Sequence, residues 1–275
     1  MKKLSILLVL FLSAVLLLAG CGNDDNESKG TQKEGEKTSK KNDALAKVKE
    51  EGKLLVGTEG TYPPFTFHDD SGKLTGFDVE IATEVAKRLG VEAEFLETQW
   101  DAMFAGLDAK RFDMVANQVG IKPEREEKYS FSKPYITSTA VLIIHEDNSE
   151  VKAFEDLKGK KAAQSMTSNY ADIARENGAE IVGVEGFNQA IELLLSKRAD
   201  ATINDNLSFL DFKKAKPDAK VKIVAESEDA SKSGLMFRQG SDTLVEAVDA
   251  ALEEMISDGT YEEISQKWFG ANVLE

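Results

Sequence analysis

The sequence is poor in the residues that build disulfides, metal centres and nucleic-acid interfaces. Its 275 residues include one cysteine, Cys21, and two distant histidines, His68 and His145. One cysteine excludes an internal disulfide, and two separated histidines leave little material for a metal centre. The 34 Lys and Arg are outnumbered by 49 Asp and Glu, giving a net charge of −15, which disfavours phosphate-rich partners. No Gly-rich loop ends in Gly-Lys-Ser/Thr. We therefore predict no metal, no cofactor and no nucleic-acid partner.

A long membrane-spanning run is also missing. A positive start at Lys2 and Lys3 precedes an uncharged, mostly apolar stretch over residues 4–20. This stretch is shorter than the about 20 residues of a spanning helix and suits a secretory signal. It ends Leu-Ala-Gly-Cys21, which resembles the lipobox of bacterial lipoproteins. The resemblance implies a signal peptide over 1–20 and acylation of Cys21; a membrane anchor that ends at a cysteine by chance is the alternative.

The segment that follows has no apolar side chain. Residues 22–43 are Asn, Asp, Glu, Ser, Lys, Gly, Thr and Gln. Such a composition cannot bury a core and is typical of disorder. We therefore predict a disordered tether over 21–43 and a folded body from residue 44 onward.

The folded body alternates short apolar runs with segments of helical periodicity. The order strand, helix, strand, helix, strand predicts an α/β fold with a mostly parallel sheet covered on both faces. A first set places strands near 54–56, 92–96 and 113–116, with helices at 77–89 and 101–110. A second set places strands near 140–144, 161–164, 181–184, 201–203 and 221–224, with helices at 169–177, 187–197 and 207–214.

Two helices close the sequence. The first spans 244–256 and the second starts at Thr260, where Thr260 and Glu263 have the spacing of a capping box.

A short motif that occurs twice with the same spacing indicates two lobes. Asp113 follows a Lys-Arg pair and precedes Asn117-Gln118, and Asp200 follows another Lys-Arg pair and precedes Asn204-Asp205 at the same offsets. Ligands of open α/β sheets bind beyond the carboxyl ends of the strands. Two such ends predict a polar cleft between the lobes. The simpler alternative is a common helix-to-strand connection, with Asn and Asp serving turns.

Three features could bind a charged small molecule. Arg125 lies just beyond a predicted strand, and its planar fork matches a carboxylate. Asp205 could bind an ammonium group, and Ser168-Asn169 open a helix whose free N–H groups favour an anion. A surface ion pair for Arg125 and plain helix capping for Asp205 and Ser168 are the alternatives.

Two aromatic residues, Tyr62 and Trp100, could wall the same site, with core packing as the alternative. An arginine, a helix N-terminus, a carboxylate and aromatic rings together suit a zwitterionic amino acid.

The segment Gly76-Phe-Asp-Val-Glu-Ile81 resembles the signature of the family 3 solute-binding proteins, which serve polar amino-acid ABC importers. The resemblance runs from about Gly52 to Gly270. Further landmarks are Tyr62-x-Pro-Phe65, Pro123-Glu-Arg125, Phe131-Ser-x-Pro-Tyr135, Asp258-Gly-Thr-Tyr261 and Lys267-Trp-Phe-Gly270. The motifs Glu59-Gly-Thr-Tyr-Pro-Pro-Phe65, Thr98-x-Trp-Asp101, Asn117-Gln-Val119 and Ser168-Asn-Tyr170 are similar to those of L-cystine-binding members.

The resemblance implies a fold and a domain division. It implies the two-lobed type II fold of periplasmic binding proteins, in which each lobe is a mostly parallel sheet flanked by helices and two strands form the hinge. Lobe 1 would comprise 44–135 and 234–275, and lobe 2 would comprise 140–228.

The resemblance also implies a binding site. The α-carboxylate would be held by Arg125, the backbone at Gly120 and the helix N-terminus at Ser168-Asn169, and the α-ammonium by Asp205. Many members carry Ser or Thr where this chain has Gly120, so one hydroxyl contact is lost. The implied ligand-binding set is Glu59, Tyr62, Trp100, Asn117, Gln118, Gly120, Arg125, Thr167, Ser168, Asn169 and Asp205.

The implied function is that of a receptor, not an enzyme. We expect a monomer, lipid-anchored on the outer face of the bacterial cytoplasmic membrane, that binds a polar amino acid, L-cystine in the first place. It would deliver this ligand to the permease and ATPase subunits of an ABC importer. The alternatives are a same-fold enzyme of the cyclohexadienyl or prephenate dehydratase type, and a ligand-sensing partner of a signalling receptor.

Overall fold

The computed structural model describes residues 43–274. The predicted signal peptide, the lipidation site Cys21 and all but the last residue of the predicted tether lie outside the described residues. The described part opens with helix α1 (Ala44–Glu51), whose first turn is capped by Asp43 through the amide of Ala46. No helix within 43–274 combines the length and apolar character that crossing a bilayer requires.

The secondary structure alternates as the sequence predicts, with additional short strands. The strands are β1 (Lys53–Thr58), β2 (Thr61–Tyr62), β3 (Thr66–His68), β4 (Leu74–Thr75), β5 (Glu92–Glu97), β6 (Met114–Val115), β7 (Tyr129–Phe131), β8 (Ile136–His145), β9 (Lys161–Gln164), β10 (Glu180–Gly183), β11 (Ala201–Asp205), β12 (Val221–Ser233) and β13 (Met236–Arg238). After α1, the helices are α2 (Phe77–Leu89), α3 (Trp100–Asp108), α4 (Pro123–Glu126), α5 (Asn169–Glu176), α6 (Phe187–Leu195), α7 (Asn206–Ala215), α8 (Asp242–Ser257) and α9 (Thr260–Phe269), with a 3-10 helix at Phe154–Leu157.

The strands form two five-stranded sheets, which confirms the prediction of a two-lobed α/β fold. The first has the order β5-β1-β6-β13-β7 and the second β10-β9-β11-β8-β12, while β2, β3 and β4 form a small antiparallel sheet. Pairing is parallel in one half of each large sheet and antiparallel in the other. Each sheet thus contains as much antiparallel as parallel pairing, whereas the sequence predicts mostly parallel sheets. The physical reason is that β8 and β13 each enter a sheet directly from the other one, without a crossover helix, so they run against their neighbours.

Both faces of each sheet are covered. Alternate residues of β8 enter different cores: Val141 and Ile143 pack into one cluster, and Leu142 and Ile144 into another. The first sheet divides in the same way, since Val56 and its neighbour Leu55 pack into separate clusters. Because successive side chains of a strand point to opposite faces, each sheet forms the middle layer of a sandwich with helices.

Helix α2 shows how local sequence sets an element. Phe77, Ile81 and Val85 recur on one face and are fully buried, and Gly90 ends the helix with a left-handed φ of 77°. Gly76 precedes it with a φ of 129°, and a Cβ atom there would lie 2.2 Å from the carbonyl oxygen of Phe65. Only glycine fits this position.

The predicted capping box at the last helix is wrong. Residue Gly259 is the N-cap of α9, and no side chain caps this helix. Thr260 instead gives its amide to Asp258, at 3.0 Å, and its hydroxyl accepts a hydrogen bond from Arg88, at 3.1 Å. The left-handed φ of 86° at Gly259 makes the sharp entry that a capping box would otherwise stabilise.

Two adjacent segments connect the sheets. The amide of Ser132 donates to Leu235, at 2.9 Å, and the amide of Tyr135 donates to Ser233, at 3.0 Å. From there β8 and β12 continue side by side into the second sheet. The predicted lobe boundaries lie beside these segments.

Candidate ligand-binding cleft

A pocket lies between the carboxyl ends of the strands of the two sheets. The space there that is not filled by protein atoms amounts to about 580 Å³, including open solvent. Both lobes contribute walls, because the segments after β1, β6 and β9 and two residues within β11 all reach it. Seven of the residues predicted from sequence line it: Glu59, Tyr62, Trp100, Asn117, Gln118, Ser168 and Asn169.

Glu59 and Asn117 are held together by the parallel pairing of β1 and β6. Each lies just past the carboxyl end of its strand. The amide of Glu59 donates to Oδ1 of Asn117 at 2.8 Å, and Nδ2 of Asn117 donates to Oε2 of Glu59 at 2.6 Å. Burial raises the pKa of the Glu59 carboxyl to about 7. The pocket therefore contains an oriented carboxylate without a cationic partner among residues 43–274.

Gln118 is held in place by a fully buried acid. Its backbone takes a left-handed φ of 52°. Its amide and its Nε2 both donate to Asp78, at 2.9 and 2.7 Å, and the Tyr135 hydroxyl donates to the same carboxylate at 3.0 Å. Burial raises the pKa of Asp78 to about 7. Asp78 is thus a positioning residue that sequence reasoning did not select.

The N-terminus of α5 opens toward the pocket from the second lobe. Ser168 is its N-cap, and its hydroxyl accepts from the amide of Ala171 at 3.0 Å. Both Ser168 and Asn169 line the pocket. The capping alternative is therefore correct for the Ser168 side chain. Ser168 and Asn169 still place the start of this helix, where an anion would be stabilised, at the pocket.

Arg125 is a buried cation with no counter-ion. It is 5% exposed, and its guanidinium donates to the carbonyls of Gly120, at 2.9 Å, and Thr167, at 3.3 Å. It lies over the rings of Trp100 and Phe104, 5.4 and 5.3 Å from their centroids. Burial lowers its pKa to about 10. No carboxylate within the described chain is in ion-pair range, which contradicts the alternative of a surface ion pair.

Asp205 is the opposite case, a buried anion with no cation in ion-pair range among the described residues. It is 2% exposed, and it accepts hydrogen bonds from the Ser138 hydroxyl, from the amide of Leu207 at 2.9 Å and from the Tyr170 hydroxyl at 3.4 Å. Burial raises its pKa to about 6. Asp205 is the N-cap of α7, as the simpler alternative supposed, yet one oxygen turns toward Tyr170, which lines the pocket.

Gly120, Arg125, Thr167 and Asp205 do not themselves line the pocket. The first three form one contact group at its edge, because Arg125 bonds to the carbonyls of the other two. A Cβ atom at Gly120 would lie 3.6 Å from Nη1 of Arg125 and 3.8 Å from Cγ of Asn169. The lack of a side chain at residue 120 therefore leaves space beside the guanidinium.

Several polar atoms of the pocket residues lack partners. Among residues 43–274, the buried atoms Nε1 of Trp100, Oε1 of Gln118 and Nε2 of Gln164 form no hydrogen bond. Buried polar atoms are nearly always paired in folded proteins. The three unpaired atoms thus belong to residues that line one pocket.

The lobes contact each other across the cleft. The Tyr62 hydroxyl donates to Oδ1 of Asn204 at 2.6 Å. Asp101, in the first turn of α3, accepts from the amides of Met166 and Thr167, at 3.1 and 3.0 Å, and from the Thr167 hydroxyl at 2.7 Å. We call these bonds of Asp101 the Asp101 latch. Thr167 thus joins the two lobes through Asp101, and its carbonyl also accepts a hydrogen bond from Arg125.

Sequence reasoning missed several pocket residues. Gln164 ends β9, so the rule that ligands bind at the carboxyl ends of strands could have selected it. Tyr170 also lines the pocket and belongs to a motif quoted above, although it was not included in the predicted set, while nothing in the sequence distinguishes Gly186 and Phe187 from ordinary helix-start residues. Within the described residues, no group of three or more His, Cys, Asp or Glu could hold a metal ion.

Two α/β lobes joined by paired strands, with a pocket lined by polar residues between them, define the two-lobed class of binding proteins. The chain belongs to the bacterial extracellular solute-binding proteins, family 3, whose family model matches residues 54–271.

Individual relatives are consistent with this family. The chain is 50% identical over 275 residues to the L-cystine-binding protein TcyA of Bacillus subtilis (strain 168), with 99% of both chains covered. A solved structure of the L-cystine solute receptor of Neisseria gonorrhoeae, unliganded and open, is 47% identical with a TM-score of 0.56, covering 84% of this chain and 99% of that one. The ancestral amino acid-binding protein AncCDT-1, a precursor of cyclohexadienyl dehydratase, is 35% identical with a TM-score of 0.75, covering 83% and 100%.

Proposed function

We propose that the protein is the substrate-binding component of an amino-acid ABC importer, and that L-cystine is its ligand. The observation that carries the proposal is the pair of buried, unpaired, opposite charges at Arg125 and Asp205. A free α-amino acid carries one carboxylate and one ammonium group. It would supply both missing counter-ions in a single binding event.

The carboxylate end fits the group around Arg125. The guanidinium has donors to spare beyond its bonds to Gly120 and Thr167, and the N-terminus of α5 adds amide donors. A planar guanidinium and a carboxylate pair in two-point fashion. The hydroxyl lost by having Gly120 is offset by backbone donors, which any amino acid can use.

The ammonium end fits Asp205. Its carboxylate lies behind the pocket wall with Tyr170, and the loss of solvent there raises its pKa. A bound ammonium group would return the pKa toward its ordinary value. Binding at pH 6 should therefore release protons.

L-cystine is favoured by the relatives, since the Bacillus and Neisseria proteins are named for binding it. The body also suits a disulfide ligand, because Cys21 is the only cysteine in the sequence and the folded part has no thiol to exchange with it. We further propose that the ligand bridges both lobes and stabilises the arrangement in which they touch. That arrangement would then dock on the permease, with a lipid on Cys21 anchoring a monomer to the outer face of the membrane.

Thermal unfolding with a ligand panel tests the proposal. The panel holds the twenty common amino acids plus L-cystine, L-cystathionine and diaminopimelate. A ligand at 100 times its Kd should add about 2.7 kcal/mol to the free energy of unfolding. If no amino acid raises the unfolding temperature, the proposal fails; if another amino acid does and L-cystine does not, only the choice of ligand fails.

Intrinsic fluorescence gives an independent readout. Trp100 lines the pocket, whereas Trp268, the other tryptophan, lies on α9. Replacing Trp100 by Phe should abolish a ligand-induced fluorescence change, and replacing Trp268 by Phe should preserve it.

An enzyme is the second candidate, because the similar ancestral protein AncCDT-1 is a precursor of a dehydratase. The buried carboxyls of Glu59 and Asp205 have the raised pKa values of general acids. Incubation of purified protein with prephenate and arogenate, followed by product chromatography, tests this. Turnover would replace the receptor function with catalysis.

A further inference from the structure

The N-terminus of α6 forms a second, uncapped helix end at the pocket. Its N-cap is Gly186, which lines the pocket and offers no side-chain cap, and its first turn holds no acidic residue. Helix α5 packs with one hydrophobic cluster and α6 with the other, on opposite faces of the second sheet. The two helix ends therefore approach the pocket from opposite faces.

A carboxylate from the other lobe lies next to this helix end. A Cβ atom at Gly186 would be 3.7 Å from Oε1 of Glu59. The hydrogen bonds of that carboxylate run to Asn117 and to the backbone of Trp100, both in its own lobe. The Glu59 carboxylate and the N-terminus of α6 thus lie side by side at the pocket, and no hydrogen bond joins them among the described residues.

An unpaired amide donor completes the group. Gln164 is 4% exposed, lines the pocket, and its Nε2 has no hydrogen-bond partner within the described chain. The carbonyl of Gln164 accepts from the amide of Val184, so Gln164 is anchored beside the strand that leads into α6. A buried amide donor and free helix amides both fit an anion.

We propose that Glu59, Gln164 and the N-terminus of α6 form a second zwitterion subsite, which binds the far end of a ligand that carries an α-amino acid group at each end. The inference rests on the proposed function, in which Arg125 and Asp205 hold the first end. Glu59 takes the distal ammonium, while Gln164 and the first amides of α6 take the distal carboxylate. The substrate class is therefore a bis(α-amino acid) with a short linker, and Phe187 and Val184 provide apolar surface for that linker.

Three ligands separate the two distal contacts. L-cystine carries both distal groups; the mixed disulfide of L-cysteine with 3-mercaptopropionate lacks the distal amine; the mixed disulfide with cysteamine lacks the distal carboxylate. Calorimetric titration of the full-length chain without reductant should give L-cystine the highest affinity. Each missing group should weaken binding about 10- to 100-fold, as expected for a hydrogen bond to a charged group.

Matched variants assign each contact. Glu59→Gln should remove the preference for the distal amine and keep the preference for the distal carboxylate, and Gln164→Leu should do the reverse. Glu185→Gln serves as the control: it removes an exposed charge directly before Gly186, outside the pocket, and both preferences should persist.

Equal affinity of the wild-type protein for all three ligands would overturn the subsite, and this comparison needs no variant to fold. An equal loss for all three ligands in Glu59→Gln would show that Glu59 only shapes the pocket, which also overturns it. If the wild type binds one-ended amino acids as tightly as L-cystine, this inference fails while the proposed function stands. If it binds no amino acid, both fail.

Discussion

Replacing Arg125 by methionine isolates the role of its charge, because methionine keeps much of the stem and removes the guanidinium. Without a ligand, the charge is buried and unpaired, and it contributes two hydrogen bonds and its stacking on Trp100 and Phe104. The relief of a desolvated charge opposes the loss of these contacts. We expect a net change of about 1 kcal/mol or less, which moves the unfolding temperature of ligand-free protein by about 2–4 °C.

Ligand binding should respond far more strongly. The variant would leave the ligand carboxylate in a buried site without its cation, at a cost of about 2–5 kcal/mol. This corresponds to a loss of affinity of about 30- to 4,000-fold. Calorimetric titration gives the affinity, and thermal unfolding of the same samples gives the stability. Arg111→Met is the control, because Arg111 is exposed and does not line the pocket.

Unchanged affinity in Arg125→Met would refute the assignment of the carboxylate site. Loss of affinity together with a large loss of ligand-free stability would instead show that Arg125 acts through folding. Only the combination of a stable apo protein and a lost ligand supports the argument.

Three further predictions follow from the cleft and from α2. Asp101→Ala removes the Asp101 latch, which exists only when the lobes touch, so ligand dissociation in stopped flow should accelerate about tenfold. The carboxyls of Glu59 and Asp205 have folded pKa values of about 7 and 6, above their ordinary values of 4.5 and 3.8. The native state therefore binds protons more tightly than the unfolded state, so these two groups lower the free energy of unfolding of ligand-free protein as pH rises from about 4 to 7. The affinity for an amino acid should rise over pH 5–7, because the carboxyls must be ionised to bind an ammonium group. Gly76→Ala should lower the free energy of unfolding by at least about 2 kcal/mol, measured by urea denaturation.

Each of these has a matched control and a contradicting result. Asp70→Ala, at an exposed turn, should leave dissociation unchanged, and an unaltered rate in the Asp101 variant would rule out the latch. Affinity that is flat from pH 5 to 7 would contradict ionised carboxyls as ammonium ligands. Gly72→Ala also has a positive φ but nothing within 4 Å, so an equal cost there would show that the backbone angle, not the clash, is responsible.

Much of the fold could be predicted because the helical periodicity of α2 and the apolar run of β1 are local patterns. The antiparallel pairing in each sheet could not be predicted. It arises because β8 and β13 cross from one lobe to the other, and no local sequence pattern indicates such a crossing. The short strands β2 to β4 are too brief for any period to be visible.

Part of the site could also be predicted from local sequence patterns. Arg125, Asn117 and Ser168 follow strands or open helices, so position along the chain predicts their proximity. The support from Asp78 and the closing contact of Asp101 require knowledge of which loops face each other. That information resides in the assembled lobes, where residues distant in sequence meet.

The bonds between the lobes have a consequence for the economy of import. The bonds of Tyr62 and Asp101 are made by protein groups alone, so they would form in an empty receptor as well as in a loaded one. Under the proposed function, an empty receptor in that arrangement would engage the importer without a ligand. We expect the charges of Arg125 and Asp205, which are 5% and 2% exposed while the lobes touch, to disfavour that state, because neither has a counter-ion among the described residues. If these two residues bind the ligand as proposed, the same charges would also keep the empty protein from closing.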